Sequence, residues 1–118
     1  MKIRFEKAKM LEKLVRAMGA VSSKNTHPFT EGLLLETAGD RLKLSTYDME
    51  KSVRASIEAE ILIEGGCVIN AQRLLSIVRI LPENEITMTV DDELLVTIQS
   101  GRSSFSLHAL AAKDFPQM

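Results

Sequence analysis

The spacing of hydrophobic residues changes along the chain, and each change predicts a new element. Ile3 and Phe5 alternate with charged residues, a pattern that is typical of a short strand with one buried face. From Lys7 onwards, apolar residues recur at intervals of three and four, which predicts an amphipathic helix over residues 7–18. The predicted apolar stripe of this helix consists of Leu11, Leu14, Val15 and Met18.

Alternating strands follow this helix after a polar loop. Three segments with alternating apolar residues predict three antiparallel strands, and the first two are joined by a tight turn at Gly39-Asp40. A glycine pair, Gly65-Gly66, leads into a fifth strand over residues 67–69, which Asn70 follows. Asn70 is a suitable N-cap for a second helix, which is predicted to run to about Leu81, before a proline. Three more alternating strands complete the chain.

The order strand, helix, three strands occurs twice, which indicates an internal duplication. At an offset of 63 residues the two helices align, with Leu11 against Leu74 and Arg16 against Arg79, and in the strands the offset falls to about 52. Since two helices cannot cover both faces of so many strands, we expect an α+β fold in which both helices pack on one face of antiparallel sheets. The whole chain, residues 1–118, is predicted to form this single domain.

The composition is that of a globular domain without a membrane span. Of the 118 residues, 45% are hydrophobic and 26% are charged, and the net charge is −1. No apolar run approaches the roughly 18 residues that a spanning helix needs. One cysteine excludes an internal disulfide, and one cysteine with two histidines argues against a structural zinc site. The N-terminus lacks the apolar segment of a signal peptide, so we expect a cytoplasmic protein.

Positive charge is concentrated in the two predicted helices. Residues 7–18 sum to +3 and residues 71–81 to +2, so the rest of the chain carries −6. The cations expected on the exposed helix faces are Lys9, Lys13, Arg16, Arg73 and Arg79. Evenly spaced cations without a base-reading motif suit contacts with the phosphates of nucleic acid. Lysine and arginine are also ordinary residues of solvated helices, so the charge pattern alone leaves both interpretations open.

The sequence offers no arrangement of residues typical of an active site. Cys67 lies in an apolar strand and is expected to be buried and inert, and the spacing brings neither His27 nor His108 to it as a base. Gly65-Gly66 is not followed by the Gly-Lys-Ser/Thr of a phosphate-binding loop. We therefore expect a protein without enzymatic activity, cofactor or metal.

The last strand, around residues 103–108, has two interpretations. Small polar residues alternate with Phe105 and Leu107, which suits a half-buried strand in the middle of a sheet. As an edge strand, the same segment lacks the lysine or proline that usually guards such edges, and it would invite pairing with another chain.

The order and spacing of several segments resemble the N-terminal domain of the bacterial DNA polymerase III beta subunit, the sliding clamp. The strongest matches are residues 100–107 (SGRSSFSL) and 114–116 (DFP), and residues 25–28 (NTHP) and 46–50 (TYDME) match more loosely. The resemblance implies a DNA-clamp fold with a duplicated βαβββ order. It also implies a ring, in which two chains of three domains each close head to tail around duplex DNA, with helices lining the hole.

The resemblance further implies roles for individual residues. Lys24 occupies a position where the family usually has a DNA-contacting arginine, and Arg73 and Arg79 fall on the helix that lines the channel. Phe105 and Leu107 fall on the edge strand that meets the third domain of the other subunit. The replicative polymerase and the clamp loader would bind through two further domains. The alternative is a stand-alone protein-interaction module that pairs through its last strand and does not bind nucleic acid.

Overall fold

The computed structural model describes residues 1–17, 32–47 and 52–114, which form two α-helices and ten β-strands. The first half of the chain contains β1 (Lys2–Glu6), α1 (Lys7–Ala17), β2 (Gly32–Ala38), β3 (Arg41–Tyr47), β4 (Ser52–Glu58) and β5 (Glu60–Ile63). The second half contains β6 (Gly66–Asn70), α2 (Ala71–Ile80), β7 (Glu85–Val90), β8 (Leu95–Ser100), β9 (Ser103–His108), β10 (Leu110–Ala111) and a closing 3-10 helix (Ala112–Asp114). The two halves share one order of elements, which confirms the predicted duplication.

The strands form two five-stranded antiparallel sheets, ordered β5-β1-β7-β8-β9 and β10-β6-β2-β3-β4. Each sheet takes two strands from one half of the chain and three from the other half. In the first sheet β1 pairs with β7, and in the second sheet β6 pairs with β2. Because the halves share both sheets, neither half can complete a sheet alone.

The short strands β5 and β10 are absent from the sequence prediction, which expected eight strands. β5 has four residues and β10 has two, so neither is long enough to show an alternating pattern. Both exist because of partners that are distant in the sequence. Ile61 of β5 lies opposite Ile3, and Leu110 of β10 lies opposite Val68.

Helix α1 buries a face that is shifted from the predicted stripe but overlaps it, because Leu14 is buried and Leu11 packs partly against the core. The buried residues of α1 are Met10, Leu14 and Ala17. Val15, which belongs to the predicted stripe, is 54% exposed, and Met18 lies outside the described residues. Both stripes have helical spacing, so the sequence could not choose between them. The contacts of α1 with β3, β4 and α2 select the buried face.

Helix α2 begins as predicted. The side-chain oxygen of Asn70 accepts a hydrogen bond from the backbone N–H of Arg73 at 3.0 Å, which confirms Asn70 as the N-cap. The buried residues of α2 are Ala71, Leu74, Leu75 and Val78. The helix ends at Ile80, one residue before the predicted end. α2 packs alongside α1, and both helices lie on the core side of the sheets, as the predicted fold class requires.

The helices of the two repeats are related by 64 residues rather than by 63. Lys7 and Ala71 each open a helix directly after the preceding strand. The equivalent buried pairs are Met10 with Leu74, Leu14 with Val78, and Ala17 with Leu81. Arg16 therefore corresponds to Ile80, and the predicted offset was wrong by one residue.

Candidate nucleic-acid interface

Helices α1 and α2 lie side by side, and their exposed faces form one surface. α1 contacts α2 on one side and β4 on the other. On its far side α2 borders β9, where Arg73, Ser76, Phe105 and Leu107 line one groove of about 360 Å³. The order across this side of the domain is therefore β4, α1, α2, β9. A partner that approaches this side therefore contacts the helix pair, with β4 on one side of the pair and β9 on the other.

Lys9 of α1 is held by acidic neighbours. Its ammonium lies 2.9 Å from a carboxylate oxygen of Glu6 and 3.7 Å from one of Glu58 on β4. The hydrogen bond with Glu6 raises the pKa of Lys9, and the same contact lowers the pKa of Glu6. All three side chains remain accessible to solvent, so these pairs are weak and exchange readily for other ions. Lys9 can bind a phosphate only by leaving these partners.

Lys13 and Arg16 follow Lys9 along α1. Lys9 and Lys13 both border β4 in a small pocket, so they lie beside the sheet edge and are half-buried, whereas the sequence predicted them on the exposed face of the helix. The guanidinium of Arg16 lies 4.0 Å from the carboxylate of Glu12, one turn earlier and equally exposed. Of these three cations, Lys13 is the one with no carboxylate within 4.0 Å among the residues that the structure describes.

The arginines of α2 have fewer acidic neighbours than the cations of α1. Arg73 and Arg79 are exposed, and α2 contains no acidic residue. Within residues 1–17, 32–47 and 52–114, neither arginine has a carboxylate within 4.0 Å. Arg73 borders the β9 groove, whereas Arg79 lies in the last turn of the helix. The uncompensated positive charge of the surface therefore comes from α2 and from Lys13.

β9 is an edge strand, which decides between the two interpretations of this segment. Its one strand partner in the described part of the chain is β8. The Ala109 N–H donates a hydrogen bond to the Leu94 carbonyl. In an antiparallel pair every second residue of a strand directs its backbone groups to the partner strand, so this bond shows which residues of β9 face β8. By this alternation, the backbone groups of Ser104, Ser106 and His108 point away from β8 and are open to another strand.

Phe105 and Leu107, the predicted subunit contacts, lie on the core side of β9. Leu107 is 6% exposed, and Phe105 is half-buried against the core. β4 is the corresponding edge of the second sheet, but there Arg41 donates a hydrogen bond to the carbonyl of Ser56 at 3.3 Å. In the second repeat Leu95 begins β8 and lies opposite His108 of β9, as Arg41 begins β3 and lies opposite Glu58 of β4, and Leu95 offers no such donor. β9 is therefore the more open of the two edges.

The remaining candidates from the sequence are Lys24, Cys67 and His108. Lys24 lies outside the described residues, so its contact with DNA stays a prediction. Cys67 is buried, and burial raises its pKa to about 12, while His108 is exposed at the end of β9. No group of three His, Cys, Asp or Glu side chains in the described ranges is placed to hold a metal ion. None of the described helices has the length and apolar character of a membrane span.

Two residues important for this surface were not identified from the sequence. Arg41 covers part of the β4 edge, and Lys7 donates from α1 to the end of α2. From the sequence, Lys7 contributes only to the net charge of residues 7–18. A lysine at the first position of a helix is, however, unfavourable, because the helix dipole is positive there. This unfavourable placement is the one local indication in the sequence that the Lys7 ammonium binds a group outside its own helix.

Comparison with known proteins assigns the family. The family model "DNA polymerase III beta subunit, N-terminal domain" matches residues 1–118. The chain belongs to this family. The beta sliding clamps of Streptomyces coelicolor and Caulobacter vibrioides are 34% and 37% identical to it, over 118 and 121 aligned residues. The crystal structure of the DNA polymerase sliding clamp from Bacillus subtilis matches with a TM-score of 0.96 at 26% identity.

The beta-subunit family confirms the resemblance seen in the sequence and the clamp fold that it implied. Each of these three comparisons covers 100% of the chain, but only 31%, 32% and 33% of the respective clamp. The chain thus spans about a third of the length of the sliding clamps that it matches.

Proposed function

We propose that residues 1–118 form one domain of a ring-shaped processivity factor, which tethers a bacterial replicative polymerase to duplex DNA. The observation that carries the proposal is the pair of helices α1 and α2, which lie side by side with exposed cations and with no acidic residue on α2. The similarity of the whole chain to beta sliding clamps supports it. The domain acts in the cytoplasm and carries out no chemistry, so it needs no cofactor.

The helix pair faces the DNA phosphates in this proposal. The proposed contacts are Lys24, Arg73, Arg79, Lys9, Lys13 and Arg16. Phosphate contacts carry no base information and weaken as salt rises, which suits a protein that slides along DNA. Lys24 keeps the charge of an arginine but not the fork that binds phosphate through two hydrogen bonds, so its contact is the less specific one. Lys9 contributes less than Lys13, because Glu6 and Glu58 compete for it.

β9 is the proposed contact with a second copy of the full-length chain, in a head-to-tail dimer. Phe105 supplies most of the apolar part of the contact, and Leu107, which is largely buried in its own domain, supports Phe105 from beneath. The outward backbone groups of Ser104 and Ser106 supply strand hydrogen bonds. β4 flanks the helix pair on the other side, so neighbouring domains can lie on both sides without covering the helices. The replicative polymerase and the clamp loader bind through other parts of the ring.

The test is the retention of the full-length protein on closed circular duplex DNA after loading, measured by gel filtration at several salt concentrations. Arg73→Glu combined with Arg79→Glu is expected to shorten retention, and the salt slope should fall by about 0.9 for each phosphate that is no longer neutralised. Arg54→Glu is the matched control, since Arg54 is an exposed cation on the outer face of β4. If the double variant and the control are retained like the wild type, the proposal is wrong.

A second candidate function is a protein-interaction module that pairs through β9 and does not bind DNA. The open backbone of the β9 edge favours it. Under this function the arginine reversals leave the protein's behaviour unchanged, and only changes at the β9 edge have an effect. Lys24→Glu adds a third reversal that separates the two functions in the same assay.

A further inference from the structure

The C-terminal end of α2 lacks a cap of its own. Leu81, at the C-cap position, is extended (φ −65°, ψ 134°), and no glycine follows to turn the chain back onto the last carbonyls. The donors come from α1 instead. The Lys7 ammonium donates to the carbonyl of Leu81 at 2.7 Å and to the carbonyl of Arg79 at 3.1 Å.

Lys7 is in an unfavourable place for its own helix. It is the first residue of α1, where the helix dipole disfavours a cation, and the first turn of α1 contains no acidic residue to offset it. At the end of α2 the same charge is favourable, because the helix dipole is negative there. The position of Lys7 is therefore explained by α2 and not by α1.

The contact between the two helix ends is reciprocal. Asn84, which follows α2, accepts the backbone N–H of Lys7 at 2.7 Å through its carbonyl and that of Ala8 at 3.2 Å through its side chain. Asn84 also donates to the carboxylate of Glu6 at 3.3 Å. Each helix end is thus satisfied by a residue of the other repeat, which fixes the start of α1 against the end of α2.

We propose that Lys7 is a positioning residue, which holds the last turn of α2, and with it Arg79, in place beside α1. It acts through Arg79 and does not itself contact DNA, so the role in DNA retention rests on the proposed function. Its direct link to Arg79 is the bond to the carbonyl of that residue. Lys7 therefore contributes to DNA retention through geometry rather than through its charge.

The experiment compares Lys7→Met, Lys7→Arg and the control Lys13→Met in the full-length protein. Lys7→Met keeps the apolar stem and removes the donors, so hydrogen exchange of the amides of residues 79–81 should become about tenfold faster. DNA retention should fall, and Lys7→Met should cause no further loss of retention when Arg79→Met is already present, because Lys7 acts through Arg79. Lys7→Arg keeps a cationic donor, so it should show the amide exchange and the DNA retention of the wild type. Lys13→Met should leave the exchange unchanged and reduce the salt slope by about 0.9.

Two results overturn the proposal. One is unchanged amide exchange in Lys7→Met. The other is a loss of DNA retention that Lys7→Met adds in full to that of Arg79→Met, which would make Lys7 an independent phosphate contact. If the wild-type protein is not retained on DNA at all, the proposed function fails, and the exchange experiment still decides whether Lys7 holds the end of α2.

Discussion

Thr46 and Ser100 occupy equivalent positions near the ends of β3 and β8, and each is a buried residue whose hydroxyl donates to a carbonyl at or just beyond the end of a helix. The Thr46 hydroxyl donates to the carbonyl of Ala17 at 2.8 Å, and the Ser100 hydroxyl donates to the carbonyl of Glu83 at 3.0 Å. Thr46 is 0% exposed and Ser100 is 1% exposed. The duplication thus preserves a buried hydroxyl at this position, although the accepting carbonyls of Ala17 and Glu83 are not at equivalent positions.

Removal of either hydroxyl should destabilise the domain. Thr46→Val removes the donor to the Ala17 carbonyl in a buried position, and Ser100→Ala removes the hydroxyl that bonds both the carbonyl and the N–H of Glu83 in a partly buried one. Each change should cost roughly 1–3 kcal/mol of unfolding free energy. Urea denaturation monitored by circular dichroism measures the change. Ser52→Ala, at an exposed position of β4, should stay within about 0.5 kcal/mol of the wild type. Equal stability of all three variants would show that the buried bonds contribute nothing.

The buried face of α1 can be tested by two truncations. Met10→Ala removes a fully buried side chain and should cost about 2–5 kcal/mol. Val15→Ala removes methyl groups that are mostly in water and should change stability by about 0.5 kcal/mol or less. Thermal or urea unfolding distinguishes the two. A larger loss of stability in Val15→Ala than in Met10→Ala would show that α1 buries Val15, as the sequence predicts.

Those two residues show how far the sequence determines the fold. The strand–helix order and the Asn70 cap depend on neighbours within a few residues, so local patterns predict them. The choice between Met10 and Val15 as the buried residue depends on β3, β4 and α2, which the local pattern does not contain. The short strand β5 is likewise defined by its pairing with β1, more than fifty positions earlier.

Some features of the candidate site can likewise be predicted from the sequence, and others depend on tertiary packing. The concentration of cations in two helices and the unguarded pattern around Phe105 are visible in the sequence. The pairing of Lys9 with Glu58 is not, because Glu58 reaches Lys9 only after β4 has packed against α1. The place of Arg73 beside the β9 groove also depends on how α2 meets β9.

Open backbone groups on β9 should matter for association and not for folding. Ser106→Pro removes an N–H that points away from β8, so it should leave the β8–β9 ladder intact. Sedimentation of the full-length protein should show weaker self-association, with the unfolding midpoint little changed. Ser106→Ala keeps the N–H and serves as the control. Normal association of Ser106→Pro would exclude strand pairing through β9.

The buried thiol of Cys67 gives a dependence of stability on alkaline pH. Its pKa is raised from 9.0 to about 12 in the folded protein, so between these values the unfolded chain loses a proton that the folded chain keeps. The contribution of Cys67 is therefore constant below pH 8 and falls as the pH rises above 9. The difference in unfolding free energy between the wild type and Cys67→Ala should shrink over that range. A difference that stays constant up to pH 11 would contradict burial as the cause.

Whether the helix pair faces DNA inside a closed ring is measured most directly by site-specific cross-linking. A photo-activated cross-linker is attached to Ser76→Cys on the exposed face of α2, or to Ser52→Cys at the start of β4, in the full-length protein loaded on circular duplex DNA. Cys67 is buried and stays unlabelled. The account predicts cross-links to DNA from position 76 and few from position 52. Equal yields, or a higher yield from position 52, would contradict it.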